Sequence, residues 1–211
     1  MELPLNLRIK KKAHQEIACA QDLIMVEVYD FFPKAVLHGG TAIWRCYKGN
    51  RFSEDIDVYL PPKSQLEDLF NKLKQNGFNI LKKKITENSL YSLLDFNRTQ
   101  VRLESLFAVK KGTLVNYEMI DGNIMTVYSL TAEELIQEKI SACLSRKKVR
   151  DLYDLFFLLR YAEKRKYIDL KKIQDVEIAD EENLKVIILS GLIPSVKEMK
   201  EFIAKWEKQN I

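Results

Sequence analysis

Two aspartates flank a single isoleucine in the segment Asp55-Ile56-Asp57-Val58. In a β-strand successive side chains point to opposite faces, so both carboxylates would project from one face while Ile56 and Val58 enter the core. Two acids held side by side repel each other unless a cation lies between them. Carboxylate oxygens suit Mg²⁺, which usually takes one or two carboxylates and fills its other positions with water and substrate phosphate. The pair therefore predicts a Mg²⁺ site, with Mn²⁺ as the alternative ion.

A pair of glycines follows the apolar residues upstream, in Leu37-His38-Gly39-Gly40-Thr41. Glycine lets the backbone approach a ligand closely, and the N-terminus of a following helix directs N–H groups at an anion. We therefore expect this turn to bind phosphate. A metal-binding acid pair next to a phosphate-binding turn indicates a nucleotide site.

The joined string resembles a family signature. It consists of Gly39-Gly40-Thr41-Ala42, then Arg51, Ser53 and Asp55-Ile56-Asp57. This string is similar to that of the AbiEii-type nucleotidyltransferases, which belong to the polymerase-beta-like nucleotidyltransferase superfamily and include abortive-infection and toxin–antitoxin toxins. The resemblance implies that the acid pair is catalytic and binds metal. It also implies nucleotide contacts for five residues: Gly39, Gly40, Thr41, Arg51 and Ser53.

Nucleotidyl transfer with two metal ions generally needs a third carboxylate. Glu104 is the best candidate as a catalytic residue and metal ligand, because it lies in the middle of a mainly apolar strand where an unpaired acid would be costly. Asp95, near the end of the preceding strand, is the competing candidate. The alternative interpretation of Glu104 is a salt bridge with Arg102, whose side chain leaves the same face of the strand.

Two later segments resemble further family motifs, a lysine on one helix and an arginine and aspartates opening the next. The resemblance implies catalytic roles for Lys139 and Asp154, and nucleotide contacts for Lys139, Arg150 and Asp151. Lys139 lies among largely apolar positions, so we expect its ammonium to emerge at the seam between two domains. Asp151 and Asp154 are three residues apart on one helical face. The alternative is that these charges form interhelical salt bridges and a helix cap.

The order of predicted elements indicates an α+β fold. Helices are expected at about 13–32, 41–47 and 66–73, and strands at 35–37, 55–60, 78–86, 89–96, 99–109, 114–119 and 124–127. Such an order is typical of a mixed sheet. We place a nucleotidyltransferase domain of the polymerase-beta-like type at residues 1–128.

Residues 129–211 are predicted to form a C-terminal helical bundle. Thr131-Ala132-Glu133-Glu134 is a capping box for a helix through about Leu144. A second helix is expected from about Val149 to Glu163, and another start is indicated at Pro194.

The composition indicates an ordinary soluble globular protein, with 46% apolar and 30% charged residues and a mild net charge of +4. No apolar run is long enough for a membrane span. The three cysteines are widely spaced and no secretion signal precedes them, so reduced thiols in a cytoplasm are expected. Two histidines make a Cys/His zinc site or a Ser-His-Asp triad a poor explanation of function.

These observations predict a Mg²⁺-dependent enzyme that moves NMP from an NTP onto an acceptor hydroxyl. The resemblance implies RNA (tRNA included) or protein as the acceptor, and a toxin controlled by a cognate antitoxin. Two alternatives remain open: the same site could transfer the γ-phosphoryl group, or the protein could bind nucleotide without turnover.

Overall fold

A computed structural model of the chain describes residues 4–61, 65–162 and 168–210. Its contacts divide the chain into two compact units, the first made of residues 1–48 and 52–130 and the second of residues 49–51 and 131–211. The domain boundary predicted after residue 128 stays a prediction.

The described residues of the first unit form a mixed seven-stranded sheet and four helices. The strands are β1 Val36–His38, β2 Asp55–Leu60, β3 Asn79–Ile85, β4 Ser89–Phe96, β5 Thr99–Phe107, β6 Thr113–Glu118 and β7 Ile124–Ser129. The helices are α1 Leu5–Arg8, α2 Lys12–Phe31, α3 Gly39–Cys46 and α4 Leu66–Gln75. The spatial order of the strands is β3-β4-β5-β2-β1-β7-β6. The pairs β2/β5 and β1/β7 are parallel and the others are antiparallel, which confirms the predicted α+β class with a mixed sheet.

Strand β2 alternates between half-buried and buried residues along its length. Ile56, Val58 and Leu60 are fully buried, whereas Asp55 and Asp57 leave the opposite face. This alternation confirms the predicted strand and the shared face of the two carboxylates. Burial of the apolar residues therefore determines which face of β2 points to the core. A slip by one residue would place both acids in the core.

Helix α3 is held in place by a buried ion pair. The guanidinium of Arg45 lies 3.0 Å from the Asp22 carboxylate of α2 and donates to the carbonyl oxygens of Ala18 and Glu118. Asp22 in turn accepts hydrogen bonds from the Tyr117 hydroxyl and from the backbone N–H of Ile120. These bonds connect α3, α2 and the β6–β7 hairpin, so the N-terminus of α3 is anchored from its far end.

The second unit is helical, apart from short irregular segments. Its α-helices are α5 Ala132–Arg146, α6 Val149–Leu158, α7 Leu184–Ile187 and α8 Val196–Asn210, with 3₁₀ turns at Lys171–Ile173 and Glu181–Asn183. The predicted capping box is present, because the Thr131 hydroxyl accepts from the Glu134 backbone and the Glu134 carboxylate accepts from the Thr131 backbone. Helix α6 ends at Leu158, earlier than predicted, and Glu163 lies outside the described residues.

Within the described part of the chain, no helix combines the length and the apolar composition that a membrane crossing requires.

Candidate active site

The parallel pairing of β2 with β5 brings the predicted carboxylates together. In its register Asp57 lies beside Glu104, and Asp55 lies beside Arg102. Residues paired in this way share a face and sit roughly 4.8 Å apart across the strands. On the other side of β2, His38 is opposite Asp57, and its ring stacks on Tyr59 at 4.2 Å between centroids. The structure therefore places Asp57 between His38 and Glu104 on one face of the sheet.

The position of Glu104 makes its ionised form unfavourable. Burial raises the pKa of Glu104, and the neighbouring carboxylates of Asp57 and Asp55 raise the pKa further, against an opposing effect of Arg102. Asp95, the competing candidate, lies on β4 opposite Gln100 and is not a neighbour of β2. The geometry therefore favours Glu104 as the third carboxylate.

Arg102 pairs with Asp55. Its Nε donates to Asp55 Oδ1 at 2.6 Å and its Nη2 donates to Oδ2 at 2.8 Å. The predicted alternative was a salt bridge from Arg102 to Glu104, and the structure places the guanidinium on the other acid. Sequence reasoning missed this partner because the register of β5 against β2 has no local signal in the sequence.

The glycine turn lies directly against the acids. Gly39 has a φ of +69°, and helix α3 begins at this residue, two residues before the predicted start. A Cβ added to Gly39 would overlap the Asp57 carboxylate and would lie 2.9 Å from its Cγ. Gly39 therefore provides room for Asp57, a role in addition to the predicted approach to phosphate.

The other predicted contacts of this turn are buried in the first unit. The Thr41 hydroxyl donates to the carbonyl oxygen of Asp55, so it connects α3 to β2. Gly40 is buried, and the carbonyl oxygen of the buried Ser53 accepts from the Gln21 side chain. Side-chain contacts with a nucleotide by Thr41 or Ser53 stay predictions.

The carboxylate oxygens of Asp55, Asp57 and Glu104 are suitable ligands for a divalent cation. Three carboxylates on one face and no thiolate match the oxygen preference of Mg²⁺. Among residues 4–61, 65–162 and 168–210, no three His, Cys, Asp or Glu side chains converge as a ready-made metal cluster. Mg²⁺ does not require such a cage, since it is usually held by one or two carboxylates with water and phosphate. Asp57 and Glu104, adjacent in register, fit that requirement.

Four of the remaining predicted residues form a buried charge network in the second unit: Arg51, Lys139, Asp151 and Asp154. Asp154 accepts two hydrogen bonds of 2.6 Å from Arg51 and lies 2.8 Å from the Lys139 ammonium. Asp151 accepts from Lys139 at 3.3 Å and from Arg146 at 2.8 Å. Burial alone would raise the pKa of Asp154, but the adjacent Arg51 and Lys139 outweigh it and hold the pKa below its usual value.

This network corrects one expectation and supports an alternative. The Lys139 side chain is not exposed as predicted, since the residue is only 6% exposed and its ammonium lies between two acids. The pairing is the interhelical salt bridge between α5 and α6 that the sequence left open. Arg150 differs from the others because it is exposed, and no ion pair joins it to another described residue. Nucleotide contacts by Arg51, Arg150 and Asp151 stay predictions.

The comparison with protein families gives one decisive match. Residues 24–184, well over half of the chain, match the family described as "Nucleotidyl transferase AbiEii toxin, Type IV TA system". The chain belongs to this AbiEii family. It is accordingly a nucleotidyltransferase of a toxin–antitoxin family, which confirms the resemblance and the enzyme class inferred from the sequence.

Solved structures agree on the fold of this AbiEii nucleotidyltransferase. JHP933 from Helicobacter pylori superposes with a TM-score of 0.62 at 23% identity, over 96% of this chain and 91% of that one. A candidate nucleotidyltransferase from H. pylori superposes with a TM-score of 0.60 at 24% identity, over 93% of this chain and 91% of that one. No curated protein matches the chain significantly.

Substituting Gly39 by alanine should impair the site without unfolding the protein. Alanine at a positive φ costs roughly 1–2 kcal/mol, and here the new Cβ must also displace Asp57. Gly191→Ala is the matched control, because Gly191 also has a positive φ but nothing lies within 4 Å of its added Cβ. We expect Gly39→Ala to lose at least as much urea unfolding free energy as Gly191→Ala, because only its Cβ must displace another side chain, and we expect a loss of nucleotidyl transfer of about 100-fold for Gly39→Ala alone. Equal activities would show that Asp57 tolerates displacement.

Substituting Glu104 by glutamine should stabilise the metal-free protein at neutral pH. The pKa of Glu104 is raised in the folded state, so the folded protein binds this proton more tightly than the unfolded chain does. Wild-type stability should therefore fall, relative to Glu104→Gln, as pH rises from about 4.5 through the raised pKa. Urea unfolding between pH 4 and 8 with chelator measures the difference. The exposed Glu87→Gln is the control, and a parallel pH dependence of wild type and Glu104→Gln would contradict the prediction.

Substituting Asp154 by asparagine should destabilise the second unit strongly. The change leaves Arg51 and Lys139 buried without their shared carboxylate, which costs roughly 3–5 kcal/mol. The lowered pKa means that this stabilisation is present above the unfolded pKa of about 3.9 and is lost as pH falls through the folded pKa. The difference from wild type in chemical unfolding should therefore shrink below about pH 4. Glu182→Gln, at an exposed site, is the control, and a loss below 1 kcal/mol for Asp154→Asn would refute the role.

Proposed function

We propose that this protein transfers a nucleoside monophosphate from an NTP to an acceptor hydroxyl, with Mg²⁺ held at Asp57 and Glu104 and with Asp55 as a further ligand. The observation that carries this proposal is the register of β2 and β5, which sets Asp57 beside Glu104 on one face of the sheet. Two carboxylates at adjacent positions repel each other, which lowers the stability of the fold. A divalent cation bound to both of them relieves this repulsion.

Each acid has a separate task in this proposal. Asp57 and Glu104 supply oxygen ligands, and Glu104 also helps to activate the acceptor hydroxyl by accepting its proton. The bound metal, when present, neutralises phosphate charge and favours the ionised acceptor. The α-phosphorus is attacked by the acceptor oxygen, and pyrophosphate leaves.

The start of helix α3 supports the same location for the triphosphate. Its backbone N–H groups begin at Gly39, adjacent to Asp57, and free N–H groups at a helix start favour phosphate oxygens. The roles of Lys139, Arg150, Asp151 and Asp154 in catalysis or nucleotide binding rest on the family resemblance. Of these, Arg150 offers an exposed, planar guanidinium that suits bidentate phosphate contacts.

We further propose that the acceptor is an RNA (tRNA included) or a protein hydroxyl, and that a cognate antitoxin controls the enzyme in the cytoplasm. Membership of a type IV toxin–antitoxin family supports the antitoxin, and the two acceptor classes are those that the family resemblance implies.

Purified protein with Mg²⁺ and each NTP labelled at the α-phosphorus should transfer label to one class of acceptor, offered as total RNA and total protein. We expect Asp57→Asn to reduce the label by at least about 1,000-fold, because it removes a metal ligand at the reacting centre. The exposed Glu54→Gln, immediately before β2, is the charge-matched control and should retain activity.

Incubation with γ-labelled NTP separates the alternatives. Label from the γ-phosphorus alone would indicate phosphoryl transfer by the same acids. Nucleotide binding that Mg²⁺ tightens, with no label from either position onto any acceptor, would favour a module that binds without turnover.

A further inference from the structure

Asp55 differs from its neighbours because its carboxylate already has a cation. Both of its oxygens accept hydrogen bonds from Arg102, in a planar two-point contact. Arg102 stands beside Asp55 in the β2–β5 register, so backbone pairing fixes the two side chains at adjacent positions on one face. Asp55 is therefore bonded to an arginine, whereas Asp57 and Glu104 lie beside each other in the register of β2 and β5.

We propose that Arg102 is an internal counter-cation of Asp55 that competes with divalent metal for this carboxylate, so that metal must displace the guanidinium before Asp55 can act as a ligand. This inference rests on the proposed function, since it assigns the order in which that site accepts cations. The pair Asp57/Glu104 takes the first divalent cation, and Asp55 joins only when Arg102 releases it.

The geometry indicates that a metal ion can replace Arg102 as the partner of Asp55. The guanidinium occupies one lone pair on each Asp55 oxygen, and its positive charge opposes the approach of a metal ion to the same carboxylate. The Arg102 side chain is also 40% exposed, so it can leave Asp55 and remain hydrated. The buried pairs of this protein lack that freedom, since the side chains of Arg51 and Asp154 are 6% and 1% exposed.

Removal of a competing ligand should tighten metal binding. Mn²⁺ is the probe, because its bound and free forms are distinguished by electron paramagnetic resonance without nucleotide or turnover. We expect Arg102→Gln to bind Mn²⁺ at least about fivefold more tightly than wild type, a typical coupling between two ligands of one site. Arg102→Lys, which keeps the charge but not the planar fork, should be intermediate.

Two controls separate competition from general electrostatics and from misfolding. Lys84→Gln removes one positive charge from an exposed position on the same face, opposite Tyr91. It should change Mn²⁺ affinity less than about twofold. Lys84 is exposed and lies two strands away from Glu104, so solvent and salt screen its charge. The melting temperature of Arg102→Gln should also rise more with added Mn²⁺ than that of wild type, by mass action.

A double-mutant cycle with Asp55→Asn decides whether Arg102 acts through Asp55. In the Asp55→Asn background the Arg102→Gln substitution should leave Mn²⁺ affinity unchanged, since the shared ligand is gone. An unchanged or weaker affinity of Arg102→Gln in the wild-type background would overturn the inference. An equal gain in both backgrounds would also overturn it, because the effect would then bypass Asp55.

The transfer assay distinguishes failure of this inference from failure of the proposed function. Label transfer by wild type, with no affinity gain in Arg102→Gln, would refute competition and leave nucleotidyl transfer intact. An affinity gain that vanishes in the Asp55→Asn background, with no label transfer to any acceptor, would support competition while rejecting the proposed transfer. Absence of both would reject both.

Discussion

The parallel pairing of β2 with β5 is the constraint on which the site depends. It sets Asp57 beside Glu104 and Asp55 beside Arg102, so the charges of the site follow from a backbone register. The face from which both aspartates project is fixed by the apolar residues of β2, because Ile56 and Val58 are fully buried on the opposite face. A fold that buries these two side chains must present both aspartates together. Burial of Glu104, together with its repulsion by these aspartates, raises the pKa of Glu104.

Helix α3 is positioned to serve the same strand. Its first residue, Gly39, lies against Asp57, and its third, Thr41, donates a hydrogen bond to the Asp55 carbonyl. Its far end is held by the buried pair of Arg45 and Asp22. Because a buried charge cannot leave its partner without a large loss of stability, Arg45 fixes the helix firmly.

The sequence predicted those features that depend on local periodicity. The shared face of Asp55 and Asp57 follows from the two-residue repeat of a strand, and Glu104 was identified because it interrupts an apolar strand. The partner of Arg102 was not predictable, since Glu104 and Asp55 are equally suitable acids and only the register decides between them. The same limitation applies to Lys139. The helical repeat predicts the face of the helix on which Lys139 lies, but not which acids of the neighbouring helix contact it.

The family resemblance assigns function to acids in both units, but their physical states differ. Asp154 in the second unit is stabilised as a carboxylate by Arg51 and Lys139, and its lowered pKa shows that its charge is compensated within the fold. The pKa of Glu104 shifts in the opposite direction, because burial and, after it, the neighbouring carboxylates of Asp57 and Asp55 raise it. A compensated carboxylate needs no ligand, whereas an acid held against like charges gains stability when a cation arrives. Glu104, held against Asp57, is therefore the acid whose arrangement favours a bound cation, whereas Asp55 already pairs with Arg102 and the acids of the second unit pair with cations of their own unit.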